Sequence, residues 1–244
     1  MCGGSIPKIL MNMFDVHIIN LNRHKDRWYF MMGFLQSLGF PLEHGIVKRV
    51  TAHDGRDYSS PDQVIDAAGA DGFDYLADPS LLYDQIPPSK FKIASNWSYA
   101  SALRGVANSD KIVMLLIDDY QPNPRWTYER FSNLLVTIQA KDPGFRLLQL
   151  RAQPFAYLSE MEFLDDDFLV ASLLRKGIGG GGDMGLLMNN KGAQLVLDYH
   201  QRVGIPSFTF SRMARSRRDF QGCWHTGESL ISRYYKFESS REEE

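Results

Sequence analysis

The segment "KIVMLLIDDY", Lys111 to Tyr120, decides how this chain reads. Six consecutive apolar residues, Ile112 to Ile117, run directly into two aspartates, Asp118 and Asp119. The run is too short to cross a bilayer, which takes ~20 residues. Its length and its Ile/Val content suit a strand buried on both faces of a parallel sheet. Open α/β sheets bind their ligands just beyond the carboxyl ends of such strands. Two carboxylates at that place repel each other unless a cation or a basic side chain stands between them. The alternative is a solvated strand exit with an Asp in its turn.

Working outward, "DVHIINL", Asp15 to Leu21, reads as an earlier buried strand, followed by the polar cluster "NRHKDR". "WYFMMGFLQSLGF" has helical spacing and a stop at Gly39. "GIVKRVTAHDG" reads as a second strand ending in the Asp54-Gly55 turn. Strand, helix, strand opens an α/β sandwich. Residues from Tyr58 to Pro88, rich in Asp, Gly and Pro, read as a surface excursion with short helices. "NWSYASALRGVANSD" reads as the helix that leads into the Lys111 segment. A helix from Tyr128 to Ala140, a strand "FRLLQL", a glycine-rich loop, a strand "MGLLM" and a helix from Lys191 follow. These readings divide the chain into an N-terminal extension (1–14), one domain (15–235, with halves 15–120 and 121–235) and an acidic tail (236–244).

The chain has 244 residues, 44% of them hydrophobic, enough for a large core. A net charge of −2 supplies no general basic field for nucleic acid. "SRMARSRRDF" is a local basic patch with Arg212, Arg215, Arg217 and Arg218. It reads as a solvated loop or as an electropositive rim for a phosphate or an acidic partner. Two distant cysteines, Cys2 and Cys223, imply no disulfide framework. With no secretory signal and no apolar run of membrane-spanning length, a cytoplasmic location is the expectation.

The glycine-rich loop "GIGGGGD", Gly177 to Asp183, lacks the Lys-Ser/Thr that a phosphate-cradling P-loop needs after its last glycine. A strand rather than a helix follows it, so it is not a dinucleotide fingerprint either. It reads as a plain linker or as a loop that lets another group approach closely. In "INLNRHKDR", Ile19 to Arg27, the residues Asn20, Asn22, Arg23 and Arg27 stand at or just beyond a strand end. Arg27 there can pair with a phosphate in bidentate fashion or with a surface carboxylate.

Taken in order, these stretches resemble glycosyltransferase family 25, which includes lipooligosaccharide galactosyltransferases and the collagen galactosyltransferase domains. The family's opening I-N-L-x-R-x-x-x-R is similar to "INLNRHKDR" here, and its Ala-x-Asp-Gly turn to "AHDG", Ala52 to Gly55. "FKIASNWSY" keeps Ile93 and Ser98, with Tyr99 where the family has His. "LIDDY" matches a strand ending Leu-Glu-Asp-Asp, with Ile117 in place of Glu. "GLLMNNKGAQLVL" matches the late strand and helix through Gly192 and Ala193. The likeness runs from about residue 15 to 205 and rests on motif order rather than on any one motif.

The resemblance implies an α/β fold of GT-A type, with a mixed, mostly parallel central sheet flanked by helices. It implies a UDP-sugar donor, transfer of a hexose (galactose or glucose) with inversion, and a Mn²⁺ or Mg²⁺ ion that bridges the donor diphosphate. Carried over residue by residue, the donor side comprises Leu21, Asn22, Arg23, Arg27, Asp54, Gly55 and Asp118. Asp119 and His225 are the metal ligands it implies, and Asp183 the general base on the acceptor hydroxyl. Because Ile117 and Tyr99 stand where the family has a Glu of its metal-binding motif and a His, a non-catalytic binding or scaffold protein on the same fold stays open beside the enzyme. The acceptor (glycan, protein or lipid) is not readable.

Overall fold

The structure is a computed structural model that describes residues 13–73, 89–150, 162–165, 168–172, 185–203, 223–226 and 231–233. The strand β1 (Phe14–Leu21) begins the fold and is buried along almost its whole length. Its side chains alternate between the two faces of the sheet. Phe14, Val16 and Ile18 enter one apolar cluster, and Ile19 enters the other. The helix α1 (Lys25–Ser37) follows, and the strand β2 (Val47–Ala52) pairs parallel to β1.

The stretch expected to hold only short helices contains α2 (Pro61–Ala70). Ser60 caps it, accepting from Gln63 N–H, and Pro61 supplies the fixed φ that suits a first turn. The next helix, α3 (Lys90–Ala107), starts six residues before the expected Asn96. Ser89 is the reason: its hydroxyl accepts from Lys92 N–H and sets the N-terminus there. The opening segment forms β3 (Ile112–Ile117), which pairs parallel to β1 on the side away from β2. After Asp118-Asp119 come β4 (Tyr120–Pro122), α4 (Tyr128–Lys141, capped by Thr127) and β5 (Leu147–Gln149). The remaining elements are β6 (Glu162–Asp165), β7 (Phe168–Ser172), β8 (Gly185–Met188), α5 (Asn190–Val203), β9 (Cys223–Thr226) and β10 (Ile231–Arg233).

Among the described residues the main sheet has eight strands in the order β2-β1-β3-β8-β5-β9-β7-β6, and β10 pairs with β4 as a separate ribbon. The sheet is mixed, and it is not the mostly parallel sheet expected. Three of its pairings are parallel and four antiparallel. The physical reason is β8, which slots between β3 and β5 running against both. The β6–β7 hairpin adds further antiparallel pairing at the far edge. The run "MGLLM" carries no information about direction, because a strand buried on both faces is apolar whichever way it points.

Helices cover both faces of the sheet. Residues of α1 and α4 pack on one side with Phe14, Val16, Ile18, Met114, Leu116 and Leu187. Residues of α2, α3 and α5 pack on the other with Val113, Leu115, Leu147 and Leu186. Phe14 shows how tightly the first side is closed. It is fully buried, stacks on Tyr128 at 4.9 Å between ring centroids, and meets Phe40 and Phe131 edge-on. One such side chain contributes roughly 1.5–3 kcal/mol by burial alone. The helix α5 comes close to the sheet at Gly192, where a Cβ would lie 2.8 Å from the Arg146 carbonyl carbon and 3.2 Å from Met188 Cβ. Asn189 ties this corner down: its carboxamide oxygen accepts from Gly192 N–H, and its Nδ2 donates to Phe145 O.

Candidate functional site

The chain leaves β1 toward β2 on one side and enters β3 on the other. The carboxyl ends of β1 and β3 therefore lie side by side, at the edge where open α/β sheets bind their ligands. Both strands carry a polar residue at that point on the α1 side. Asn20 continues the Phe14/Val16/Ile18 alternation, and Asp118 continues Met114/Leu116. Asp118 is 6% exposed, and its backbone N–H still donates to Ile19 O, so it extends the β1–β3 ladder by one step.

Its carboxylate faces two side chains. Asn20 Nδ2 donates to Oδ2 at 2.6 Å, and Arg27 Nη1 stands 3.6 Å from Oδ1. Arg27, in the first turn of α1, is itself 6% exposed, so this is a buried pair. Burial raises the pKa of Asp118 to about 6, against the opposing pull of Asn20 and Arg27 and with the push of Asp119. Asn20 is held in turn from β2: Arg49 Nε donates to Asn20 Oδ1 at 2.7 Å, and Arg49 Nη2 to Leu21 O at 3.0 Å. The second amide hydrogen of Asn20 goes to His24 O at 3.0 Å.

Above this layer the loop after β1 carries Asn22, exposed, and Arg23, which forms an ion pair with Asp54. Arg23 lies below its ordinary pKa through burial and the charges of Arg56 and Arg27. His24 is pushed down to about 4 by burial and by Arg27 and Arg23, so it stays neutral, and its Nε2 accepts from Arg23 Nε. Crowded arginines that depress their neighbours mark a positive local potential, which favours an anionic ligand at the N-terminus of α1.

The "AHDG" turn is fastened to α3. His53 N–H donates to Ser98 Oγ at 2.8 Å, and the His53 ring stacks on Trp97 at 3.4 Å. Gly55 is buried, and a Cβ there would lie 2.7 Å from Phe91 Cδ1 and 2.8 Å from Phe91 Cα. Glycine is thus needed so that the turn can close on the helix and present Asp54 to Arg23. Asp54 also accepts from Arg56 N–H and so caps its own turn.

The structure therefore brings together Leu21, Arg23, Arg27, Asp54 and Asp118 of the residues named from sequence. Asp119, partly exposed, follows in the turn to β4. Ile117 packs against the cluster under α1 and α4. His225 lies in β9, in register with Gln149. That row continues through Leu186 to Leu115, so three strand spacings, about 14 Å, separate it from β3. Its backbone is not brought beside Asp119. Asp183, the glycine-rich loop and the Arg212–Arg218 patch lie outside the described residues. Among the described residues no group of three His, Cys, Asp or Glu side chains converges on a point, and no helix is long and apolar enough to cross a membrane.

Sequence reading missed Arg49. A signal existed: in β2 it occupies the same face as Val47, which packs in the α1/α4 cluster. A strand position that alternates with an inward residue at the carboxyl end faces whatever lies under α1. The fold and the site together define an α/β protein with paired arginines and carboxylates at the carboxyl ends of β1 and β3. No protein-family model matches the chain, and no curated protein matches it.

Proposed function

We propose that this edge forms a crevice that binds the diphosphate of a UDP-sugar and that the protein transfers a hexose, galactose or glucose, to an acceptor hydroxyl with inversion, on a fold of GT-A type. The observation that carries the reading is the convergence of Arg23, Arg27, Asp54 and Asp118 on the carboxyl edge of β1 and β3. The resemblance to family 25 draws its donor residues from the same stretches. In this reading Arg23 and the N-terminus of α1 take the diphosphate, and Asp118 orients Arg27 toward it. Asp119 at the turn is the described acid suited to hold Mn²⁺ or Mg²⁺. Such an ion, when bound, offsets the charge gathering on the leaving nucleotide diphosphate. Asp183 is the proposed general base, and the acceptor is left open.

A non-catalytic relative that only binds the nucleotide is the second reading. It is favoured by one observation: both carboxylate oxygens of Asp118 face protein groups, and Ile117, partly buried, packs against the α1/α4 cluster. Two measurements separate the readings. Thermal-shift titration with UDP, with and without Mn²⁺, reports binding, because a ligand of the native state raises its stability. Donor hydrolysis across a panel of nucleotide sugars reports chemistry. A UDP shift with no hydrolysis of any donor selects the second reading, and no shift at all refutes both.

A further inference from the structure

We propose that Arg49, a residue one strand removed from the crevice, is a positioning residue that fixes the carboxamide of Asn20 and through it the carboxylate of Asp118 and the Arg27 fork. The proposal rests on the crevice being the diphosphate site only for its consequence in affinity; the positioning itself stands on geometry.

Asn20 has an oxygen and a nitrogen end that differ little in shape, and neither the strand nor its burial chooses between them. Arg49 fixes the oxygen end, because its Nε–H can only donate and lies 2.7 Å from Asn20 Oδ1, while the acceptors Asp118 Oδ2 and His24 O hold the nitrogen end. With Oδ1 committed, Nδ2 must face the other way, and it supplies both remaining bonds, to Asp118 Oδ2 and to His24 O. The guanidinium is held in its turn. Its Nη2 donates to Leu21 O, and its Cζ lies over the Trp28 ring at 5.9 Å from the centroid. A planar fork can satisfy Asn20 and Leu21 at once, whereas a lysine ammonium on a flexible stem cannot reproduce that geometry. The relay thus runs from the edge strand β2 through β1 to β3 and ends on the first turn of α1. Each step is a donor facing an acceptor, so every member is oriented by the next.

The test compares wild type, Arg49→Met, Arg49→Lys, Asn20→Ala and the Arg49→Met/Asn20→Ala double variant. The first readout, at one fixed pH, is the ¹H–¹⁵N NMR signal of the Arg27 guanidinium Nε–H at the far end of the relay. Loosening Asn20 frees the carboxylate that orients the fork, so Arg49→Met should shift that signal and speed its exchange with water about tenfold. Arg49→Lys should behave like Arg49→Met if orientation matters, and like wild type if only charge matters. In the Asn20→Ala background the Arg49 substitution should add nothing, which marks action through Asn20. The second readout is the Kd of inorganic pyrophosphate by calorimetry, expected to weaken about tenfold in Arg49→Met and Arg49→Lys. An unmoved Arg27 signal in both single variants, or a shift of equal size with and without Asn20, overturns the proposal. Failure of wild type to bind pyrophosphate refutes the diphosphate reading instead, and the NMR readout still decides the role of Arg49.

Discussion

Replacing Asp118 by Asn tests the electrostatics of the crevice most directly, because the carboxamide has the shape of the protonated acid and never ionises. In the folded protein Asp118 titrates at about 6 instead of the ordinary 3.8, chiefly through burial. A difference of roughly 2 pH units corresponds to about 3 kcal/mol between the two protonation states. The sign follows from proton counts. Between the ordinary value and about 6 the native state holds a proton that the unfolded chain has released. Stability therefore falls as pH rises through that window and is flat above it. Asp118→Asn removes this dependence, so the variant should gain on wild type by up to about 3 kcal/mol between pH 4 and pH 7.

Only the difference is diagnostic. His17 and His24, both lowered to about 4, make stability rise with pH over the same range. At Asp15, burial pushes the pKa up, but Lys48 and Lys111 pull it lower still; its contribution disappears as pH falls. These groups are common to both proteins and cancel. The groups facing Asp118 (Asn20 from β1, Arg27 from α1 and Asp119 beside it) are also unchanged. The assay is urea unfolding of both proteins at several pH values. A stability difference that stays constant from pH 4 to pH 7 refutes the assignment of a buried, raised carboxyl at this position.

Gly192→Ala should cost about 1–3 kcal/mol, because the added methyl meets the Arg146 carbonyl and Met188 rather than open space; an unchanged denaturation midpoint would contradict the close approach of α5. Arg27→Ala should weaken UDP binding about tenfold or more. It should also lower the melting temperature, since it strips a partner from the buried Asp118; position in sequence alone suggests an effect on binding only, and a variant as stable as wild type would return to that simpler view. Asp119→Ala should abolish sugar transfer while leaving the fold intact, because the side chain is partly exposed at a turn. Equal activity in the two proteins with any donor would remove Asp119 from the metal reading.

The strands β1 and β3 were legible in the sequence, since a short apolar run bounded by polar residues has few other uses in a chain of this composition. The end of β3 at a doubled acid was legible as a candidate site, and so were the arginines after β1 and the Asp54-Gly55 turn. The question posed by the paired aspartates receives a structural answer that spacing could not supply. Asp118 turns inward to Asn20 and Arg27, while Asp119 stays partly exposed in the turn to β4. Period-2 alternation puts Asp118 on the α1 face, but only the parallel register of β1 with β3 sets Asn20 beside it. The direction of β8, the start of α3 at Ser89 and the reach of Arg49 from β2 to Asn20 in β1 were likewise settled by tertiary structure. Hydrophobic pattern records which side chains leave water, a local property of each segment. Strand direction, register and the partner of a buried charge depend on segments far apart in the chain, and those are chosen by the packing of the whole.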